Sequence, residues 1–385
     1  MKGNGITSKG IEIDWPALMR FKRTFTEPVP KGTEQGFARA GITTFHGRAR
    51  FIAQTTVQVG GETLNARNVL IASGAQPANL AIPGEENLTT SNQFLELEKL
   101  PMRIIFVGGG YISFEFAHVA ARAGAQVRIL HRGARPLLGF DPDLVNQLLK
   151  ATQEIGIDVQ LNTAVQAIEK DSQQLIVQAS RENAKQTFVA DLVVHGAGRV
   201  PEIGDLDLEK AGIDYGKKGV SVNEYLQSVS NFAVYAAGDA AASGGLPLTP
   251  VASMEGGVAA ANLLEGNQHR PDYTAVPTVA FTVPPLASVG LQEATARRRN
   301  LKFKTNHGDT SGWYSSRRVG ISHSGYKVLV EEESNRILGA HLLGPHAEEV
   351  INLFTMAIQF GLCSDDLKKV RYTYPSHSDD ISYMM

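Results

Sequence analysis

The chain has 385 residues, 43% of them hydrophobic and 20% charged, with a formal net charge of -2. That length exceeds what one hydrophobic core organises, so two or three domains are expected, and the near-neutral balance excludes an electrostatic drive toward nucleic acid or an anionic membrane surface. No run approaches the roughly 18 apolar residues of a membrane span, the opening "MKGNGITSKG" has no apolar leader core, and a cytoplasmic location is expected. The one cysteine, Cys363, leaves neither a disulfide framework nor a two-cysteine redox motif within these residues.

In chain order, "ETLNARNVLIASGAQP" (62–77) reads as a strand running into a glycine turn, with "IPG" (82–84) after it. "RIIFV" (103–107) is the β-branched run of a buried parallel strand. Gly108, Gly110 and Ser113 then form G-x-G-x-x-S, a dinucleotide fingerprint with serine in the third glycine's place. Ile112, Phe116, Val119 and Ala123 recur at helical spacing, which predicts an amphipathic helix with that stripe as its apolar face and Gly124 as its stop. "AQVRILHR" supplies the second strand. The first glycine permits the tight turn, the second lets backbone approach a pyrophosphate, and the helix N-terminus offers unpaired N–H groups.

An acidic residue at the end of the second strand would accept from a ribose 2'-hydroxyl. The chain instead has His131, Arg132 and, shortly after, Arg135. The guanidinium groups of Arg132 and Arg135 suit a 2'-phosphate, so NADP(H) is expected; exposed basic residues in a turn are the alternative. "DLVVHGAGRVPE" (191–202) repeats strand, glycine turn, Arg199 and proline. Residues 231–264 give a strand, Gly238-Asp239, a loop and a small-residue helix, and "VPTVAFTVPPLASVGL" opens a C-terminal part. There "GYKVLVEE" and "RILGAHLLG" read as strands, succeeded by a helix from about Glu348 to Phe360. His346, Glu348 and Glu349 read as a polar helix start, and no metal is expected. Cys363 reads as a small buried residue and Arg297–Arg299 as a solvated helix end.

Taken together, "GGGYISFEFA", "ASGAQP", "GAGRVPE", "YAAGDAA...LTPVA", "AFTVPPLASVGL" and "GAHLLGPHAEEVI" resemble, in order and over essentially the whole chain, the flavin-dependent pyridine nucleotide-disulfide oxidoreductases. That is the family of glutathione reductase, dihydrolipoamide dehydrogenase and mercuric reductase. The resemblance implies an α/β fold with two Rossmann-like nucleotide-binding domains and an α+β C-terminal dimerisation domain that forms a homodimer. The FAD-binding domain is expected to be discontinuous, at residues 1–101 and 223–273, with an NAD(P)H-binding domain at 102–222 and the dimerisation domain at 274–385. The resemblance places flavin contacts at Ala72, Ser73, Gly74, Gly238, Asp239, Leu248, Thr249 and Ala252, and adds Arg199 to the cofactor-binding residues. It also puts Tyr111 over the nicotinamide pocket and Glu115 near the meeting point of nicotinamide and flavin. A plain polar helix residue is the other reading of Glu115, and a plain turn that of Gly238-Asp239.

Two departures limit what the resemblance carries. Family members begin with a strand, a G-x-G-x-x-G turn and a helix for the adenine half of FAD, then a helix bearing C-x-x-x-x-C. "IEIDWPALMRFKRTF" corresponds to the family segment just after that cysteine helix, so the FAD domain is expected to be N-terminally truncated, with Met1 internal to a longer protein. In "YTYPSHSDDIS", Tyr374 takes the place of the family's proton-transferring His and Asp379 that of its acid. Tyr is a poor base near neutral pH, with an ordinary pKa of about 10, and His377 stands at a different spacing. The expected function is an FAD-dependent NAD(P)H oxidoreductase passing hydride from NADPH to flavin and on to an unidentified acceptor. The rival is a catalytically inactive, NADP-binding, dimerising remnant.

Overall fold

The computed structural model describes residues 10–172 and 174–385; residues 1–9, read above as lacking a leader, lie outside the described residues. The chain divides into two compact units, one of residues up to Met19, Asn79–Gly198 and Thr274–Met385, the other of Arg20–Ala78 and Arg199–Tyr273.

The first unit is built on a parallel sheet in the order Leu192–His195, Arg103–Val107, Gln126–Leu130, Asp158–Gln160. Ile104, Ile105, Phe106 and Val107 are all buried, as a strand covered on both faces requires. On one face Phe106 packs with Phe114, Ala117 and Leu144 of the helices Tyr111–Arg122 and Pro142–Glu154. On the other, Ile105 and Val107 meet Ile168 and Val177 of a three-stranded antiparallel sheet, Thr163–Asp171, Gln174–Arg181 and Ala184–Ala190.

The helix Tyr111–Arg122 buries the stripe its apolar spacing predicts only in part, Phe116 and Ala123 packing half-buried against this core. Ser113, Phe114, Ala117, His118 and Ala120 are the buried residues, while Val119 is 41% exposed. The helix also has a second neighbour, which it meets through polar groups. Glu115 Oε1 accepts from Phe281 N–H at 2.8 Å, His118 Nδ1 accepts from Val283 N–H at 3.1 Å, and Arg122 Nη2 donates to the Val283 carbonyl at 3.1 Å. On its far side His118 Nε2–H donates to Thr152 Oγ1 at 3.0 Å, and that hydroxyl donates to the Leu148 carbonyl at 2.8 Å. These directions fix His118 as the neutral Nε2–H tautomer. Burial, with the Arg122 charge beside it, pushes the imidazole down to about 3.

The same unit contains a five-stranded antiparallel sheet in the order Thr278–Ala280, Leu286–Gly290, Ile337–Leu343, Gly325–Glu331, Phe303–Asp309. The helix Ala347–Gln359 covers it through Val350, Ile351, Phe354 and Ala357. Lys327, 2% exposed, reaches from this sheet to Asp141, the N-cap of the helix Pro142–Glu154, at 2.8 Å, and to Asp143 and Glu293. Burial alone would lower the ammonium's pKa, but the hydrogen bonds it donates to Asp141 and Asp143 outweigh it and hold the group above its ordinary value.

In the second unit the strands Val69–Ile71 and Val234–Ala236 pair in parallel, and Ala75–Pro77 pairs antiparallel with Arg199–Pro201. Ile203, Leu208, Ile213 and Val220 pack with Phe51, Ile71 and Val234. Residues 199–222, grouped on sequence with the nicotinamide part, therefore belong to this compact unit.

The buried His118 and Lys327 set two expected changes in stability. Between the ordinary histidine pKa of 6.5 and about 3, the unfolded chain takes up a proton that folded His118 refuses, so stability falls with falling pH by up to about 1.4 kcal/mol per unit from this residue. Denaturant midpoints at pH 7 and pH 5 should show that slope, and His118→Gln should flatten it. Lys327→Met strands the Asp141 carboxylate, 0% exposed, and is expected to cost about 3–5 kcal/mol in urea unfolding; a loss below about 1 kcal/mol would mean the acids regain solvent.

Candidate functional site

The first glycine loop leaves the strand Arg103–Val107 where the neighbouring strand ends in Gly196. Gly108 has a φ of +112°, and a Cβ there would lie 2.2 Å from the Gly196 carbonyl oxygen. No side chain can occupy that gap. A Cβ on Gly109 would fall 2.6 Å from His131 Cγ and 2.9 Å from Pro136 Cβ, so the middle glycine answers to the His131 ring. Gly110 is the N-cap of the helix Tyr111–Arg122 and carries no side chain to satisfy the first-turn N–H groups. Ser113 Oγ, wholly buried, has no hydrogen-bond partner among the described residues and lies 2.0 Å from where a Gly196 Cβ would sit. The serine thus fills the space that a residue other than glycine would need at position 196.

The loop after the second strand is fastened at several points. His131 Nε2–H donates to the Arg135 carbonyl at 3.0 Å, Leu137 N–H to the Gly109 carbonyl at 2.8 Å, and Asn162 N–H to the Gly133 carbonyl at 3.0 Å. Burial pushes the His131 imidazole below its ordinary value, consistent with a neutral donor. On this rigid loop Arg132 is exposed and Arg135 half-buried. Among the described residues neither guanidinium has a hydrogen bond or ion pair. A backbone-only turn, an uncapped helix N-terminus and two free guanidinium groups fit a dinucleotide with an extra phosphate.

Tyr111, 42% exposed, opens the helix. One turn on, Glu115 is half-buried, and burial pushes its carboxyl up while the Phe281 N–H pulls it back down.

In the second unit, Ala72–Gly74 and Gly238-Asp239 lie just past the carboxyl ends of two adjacent parallel strands, the position where open α/β sheets bind ligands. The Ala237 N–H donates to the Ile71 carbonyl at 3.0 Å, which holds the two turns side by side. Gly74 and Gly238 have φ of +73° and +65°. A Cβ on Gly238 would press on Ala252 at 3.1 Å, and Leu248 and Thr249 form the start of the helix Thr249–Glu265. Asp239 is half-buried with no side-chain partner among the described residues, so it is available to ligand hydroxyls. These residues fit the ribityl part of a flavin. Arg199 Nη2 donates to the Ala75 carbonyl, which places it as a brace of the Ala72–Gly74 turn.

Sequence reading missed Glu255. This carboxylate, 1% exposed, accepts from Gly238 N–H at 2.7 Å, Ser243 Oγ at 2.6 Å and Tyr273 OH at 2.6 Å. Burial and the bond to Glu255 push the Tyr273 phenol up to about 12. A lone acid between glycines and alanines, in "ASMEGGVAAA", was the available signal.

At the C-terminal end Tyr374 is 75% exposed and Asp379 opens the short 3-10 turn Asp379–Tyr383; no hydrogen bond joins them among the described residues. His377 is 9% exposed, its ring 4.8 Å from that of His346, and its Nε2 has no partner among the described residues. Burial pushes it below the ordinary value. Cys363 is half-buried, with Sγ donating to Asp366 Oδ2 at 3.0 Å.

Comparison with known proteins bears on both cradles. Residues 16–256 match the pyridine nucleotide-disulphide oxidoreductase family and residues 276–385 its dimerisation domain. Mercuric reductase of Staphylococcus aureus is 34% identical over 333 residues, 85% of this chain, which spans 60% of that protein's length. Glutathione reductase of Burkholderia cepacia is 31% identical over 383 residues, 98% of this chain and 83% of its own. The HOCl-induced flavoprotein disulfide reductase RclA of Escherichia coli superposes with a TM-score of 0.88 at 27% identity, covering 97% of this chain and 86% of that one. Such relatives are flavin-dependent oxidoreductases, and FAD and NAD(P)H are the cofactors of their shared fold. The chain therefore belongs to the pyridine nucleotide-disulphide oxidoreductase family.

Proposed function

We propose that this protein is an FAD-dependent NADPH oxidoreductase that acts as a homodimer in the cytoplasm and passes electrons to an acceptor other than a glutathione-type disulfide. The pair of glycine turns supports this reading above all, each at the carboxyl end of parallel strands, one beside two unpartnered arginines and the other beside a free carboxylate. When bound, the two cofactors supply the hydride chemistry. The chain's own groups bind and orient: Gly108 and Gly110 admit the pyrophosphate, Ser113 closes the turn from below, and Arg132 and Arg135 take the 2'-phosphate. Tyr111 covers the nicotinamide region and Glu115 borders it. Ala72, Ser73, Gly74, Gly238, Asp239, Leu248, Thr249 and Ala252 line the flavin turn, with Arg199 and Glu255 bracing it. Tyr374 and Asp379 offer a phenol and a carboxylate in place of an imidazole base, which disfavours thiolate protonation. The dimerisation domain supports the homodimer. Among the described residues no helix is long and apolar enough to cross a membrane.

A second reading, an NADP-binding and dimerising protein without catalysis, draws on the single cysteine and on the buried His377. Visible absorption separates the two. The purified chain supplied with FAD is expected to keep a flavin band that bleaches when NADPH is added without oxygen; a chain that retains no flavin would leave the second reading.

The nucleotide preference has its own test. Replacing Arg132 and Arg135 by Ala is expected to weaken NADPH binding about 10- to 100-fold and leave NADH within about threefold, the scale of charge-assisted hydrogen bonds. Gly109→Ala, forced against the His131 ring, is expected to weaken both nucleotides at least about tenfold, because a core clash of this size shifts backbone. Titration calorimetry reads both.

A further inference from the structure

The segment Phe281–Val283 is held by one face of the nucleotide-binding helix. Glu115, His118 and Arg122 stand at i, i+3 and i+7, and their two acceptors and one donor match two N–H groups and a carbonyl of the segment in register. The backbone is thereby fixed while Phe281 and Val283 keep 63% and 45% of their surface exposed. Thr282 between them is 2% exposed, and its Oγ1 donates to the Pro284 carbonyl at 2.7 Å. Large apolar side chains on a rigid backbone, bordering a half-buried carboxylate on the helix that starts at the glycine turn, present a face for a flat amide-bearing ring.

His118 is the member of the row that ties the segment to the next helix as well. It is 1% exposed, its Nδ1 holds the Val283 N–H, and its Nε2–H is anchored on Thr152 of the next helix. A side chain without an acceptor at this position would leave the Val283 N–H unpaired and remove one of the three bonds that hold the segment to the helix.

We propose that His118 is a positioning residue for the nicotinamide end of the dinucleotide, fixing Phe281–Val283 through Val283 N–H as the wall beside Glu115 on which that ring rests. The proposal rests on the NADP(H) reading of the cradle and adds a residue that touches neither phosphate nor glycine turn.

Two ligands separate positioning from folding. NADPH uses the whole cradle, whereas adenosine 2',5'-bisphosphate lacks the nicotinamide end. Binding of each to the 385-residue chain and to His118→Leu and His118→Asn is measured by calorimetry. His118→Leu is expected to weaken NADPH about tenfold, the scale of one lost hydrogen bond, and to leave the bisphosphate within about twofold, while His118→Asn, which keeps an acceptor, restores most of the affinity. Amide exchange at Phe281 and Val283 should quicken in His118→Leu. Equal weakening of both ligands, or no change in either, overturns the proposal. If His118→Leu does not fold, Arg122→Gln, which frees the Val283 carbonyl and also removes the Arg122 Nη1 contacts to His118, must give the same selective loss. A wild-type chain that fails to bind the bisphosphate overturns the NADP(H) reading itself.

Discussion

The binding half of this molecule depends on a close approach between two stretches of bare backbone. Gly108 and Gly196 end adjacent parallel strands, and a single methyl at position 108 would lie 2.2 Å from the opposing carbonyl oxygen. That contact lets the helix Tyr111–Arg122 begin directly at the sheet edge, with its N-terminus open and its first turn packed on the core through Phe114. Ser113 is drawn into the same constraint, since its hydroxyl fills the space beside Gly196. A third glycine in the fingerprint would leave that space empty. With serine there the smallness is demanded of position 196 instead.

Rigidity then spreads outward from the turn. Gly109 gives its space to the His131 ring, which ties down the Arg135 carbonyl, and the Gly109 carbonyl accepts from Leu137. The backbone of the arginine-bearing loop is therefore fixed to the same turn through Gly109 and His131, while the guanidinium groups it carries stay free of partners among the described residues. The tie runs the other way along the helix, where Glu115, His118 and Arg122 carry the five-stranded sheet's entry segment, and Lys327 locks that sheet to the cap of the next helix.

Much of this was legible in order along the chain. The strand Arg103–Val107, the glycine turn and the helix stop at Gly124 are local signals, because each is set by residues within one turn or one strand. The apolar stripe Ile112-Phe116-Val119-Ala123 gave only part of the packing, since spacing counts hydrophobic residues and cannot register that the same helix also meets a neighbour through polar ones. His118 and Arg122 carried no signal of their own in the sequence, because their partner groups belong to Val283, more than 160 positions away. Lys327 inside "GYKVLVEE" and Glu255 inside "ASMEGGVAAA" were hidden for the same reason, their partners being distant in sequence. The strand Arg199–Pro201 pairs with Ala75–Pro77, and the segment after it clusters with that unit, a pairing between residues more than 120 positions apart that no local signal announces.

The two turns share a plan and differ in charge, and the proposed assignment of their ligands rests on that difference. Beside the Gly108 turn stand cations without partners, which favour a phosphate-rich ligand and discriminate against one lacking the extra anion. Beside the Gly238 turn stand two carboxylates with separate tasks. Glu255 commits its charge to Gly238 N–H, Ser243 and Tyr273, so it shapes the turn from behind. Asp239 has no such commitment. A free carboxylate at the edge of a glycine turn repels phosphate and accepts from hydroxyls, so this turn suits a polyol and the other a pyrophosphate. Exchanging the two proposed ligands would set phosphate against Asp239 and leave Arg132 and Arg135 unanswered, and that asymmetry, more than the glycine pattern common to both, is what supports the proposed assignment.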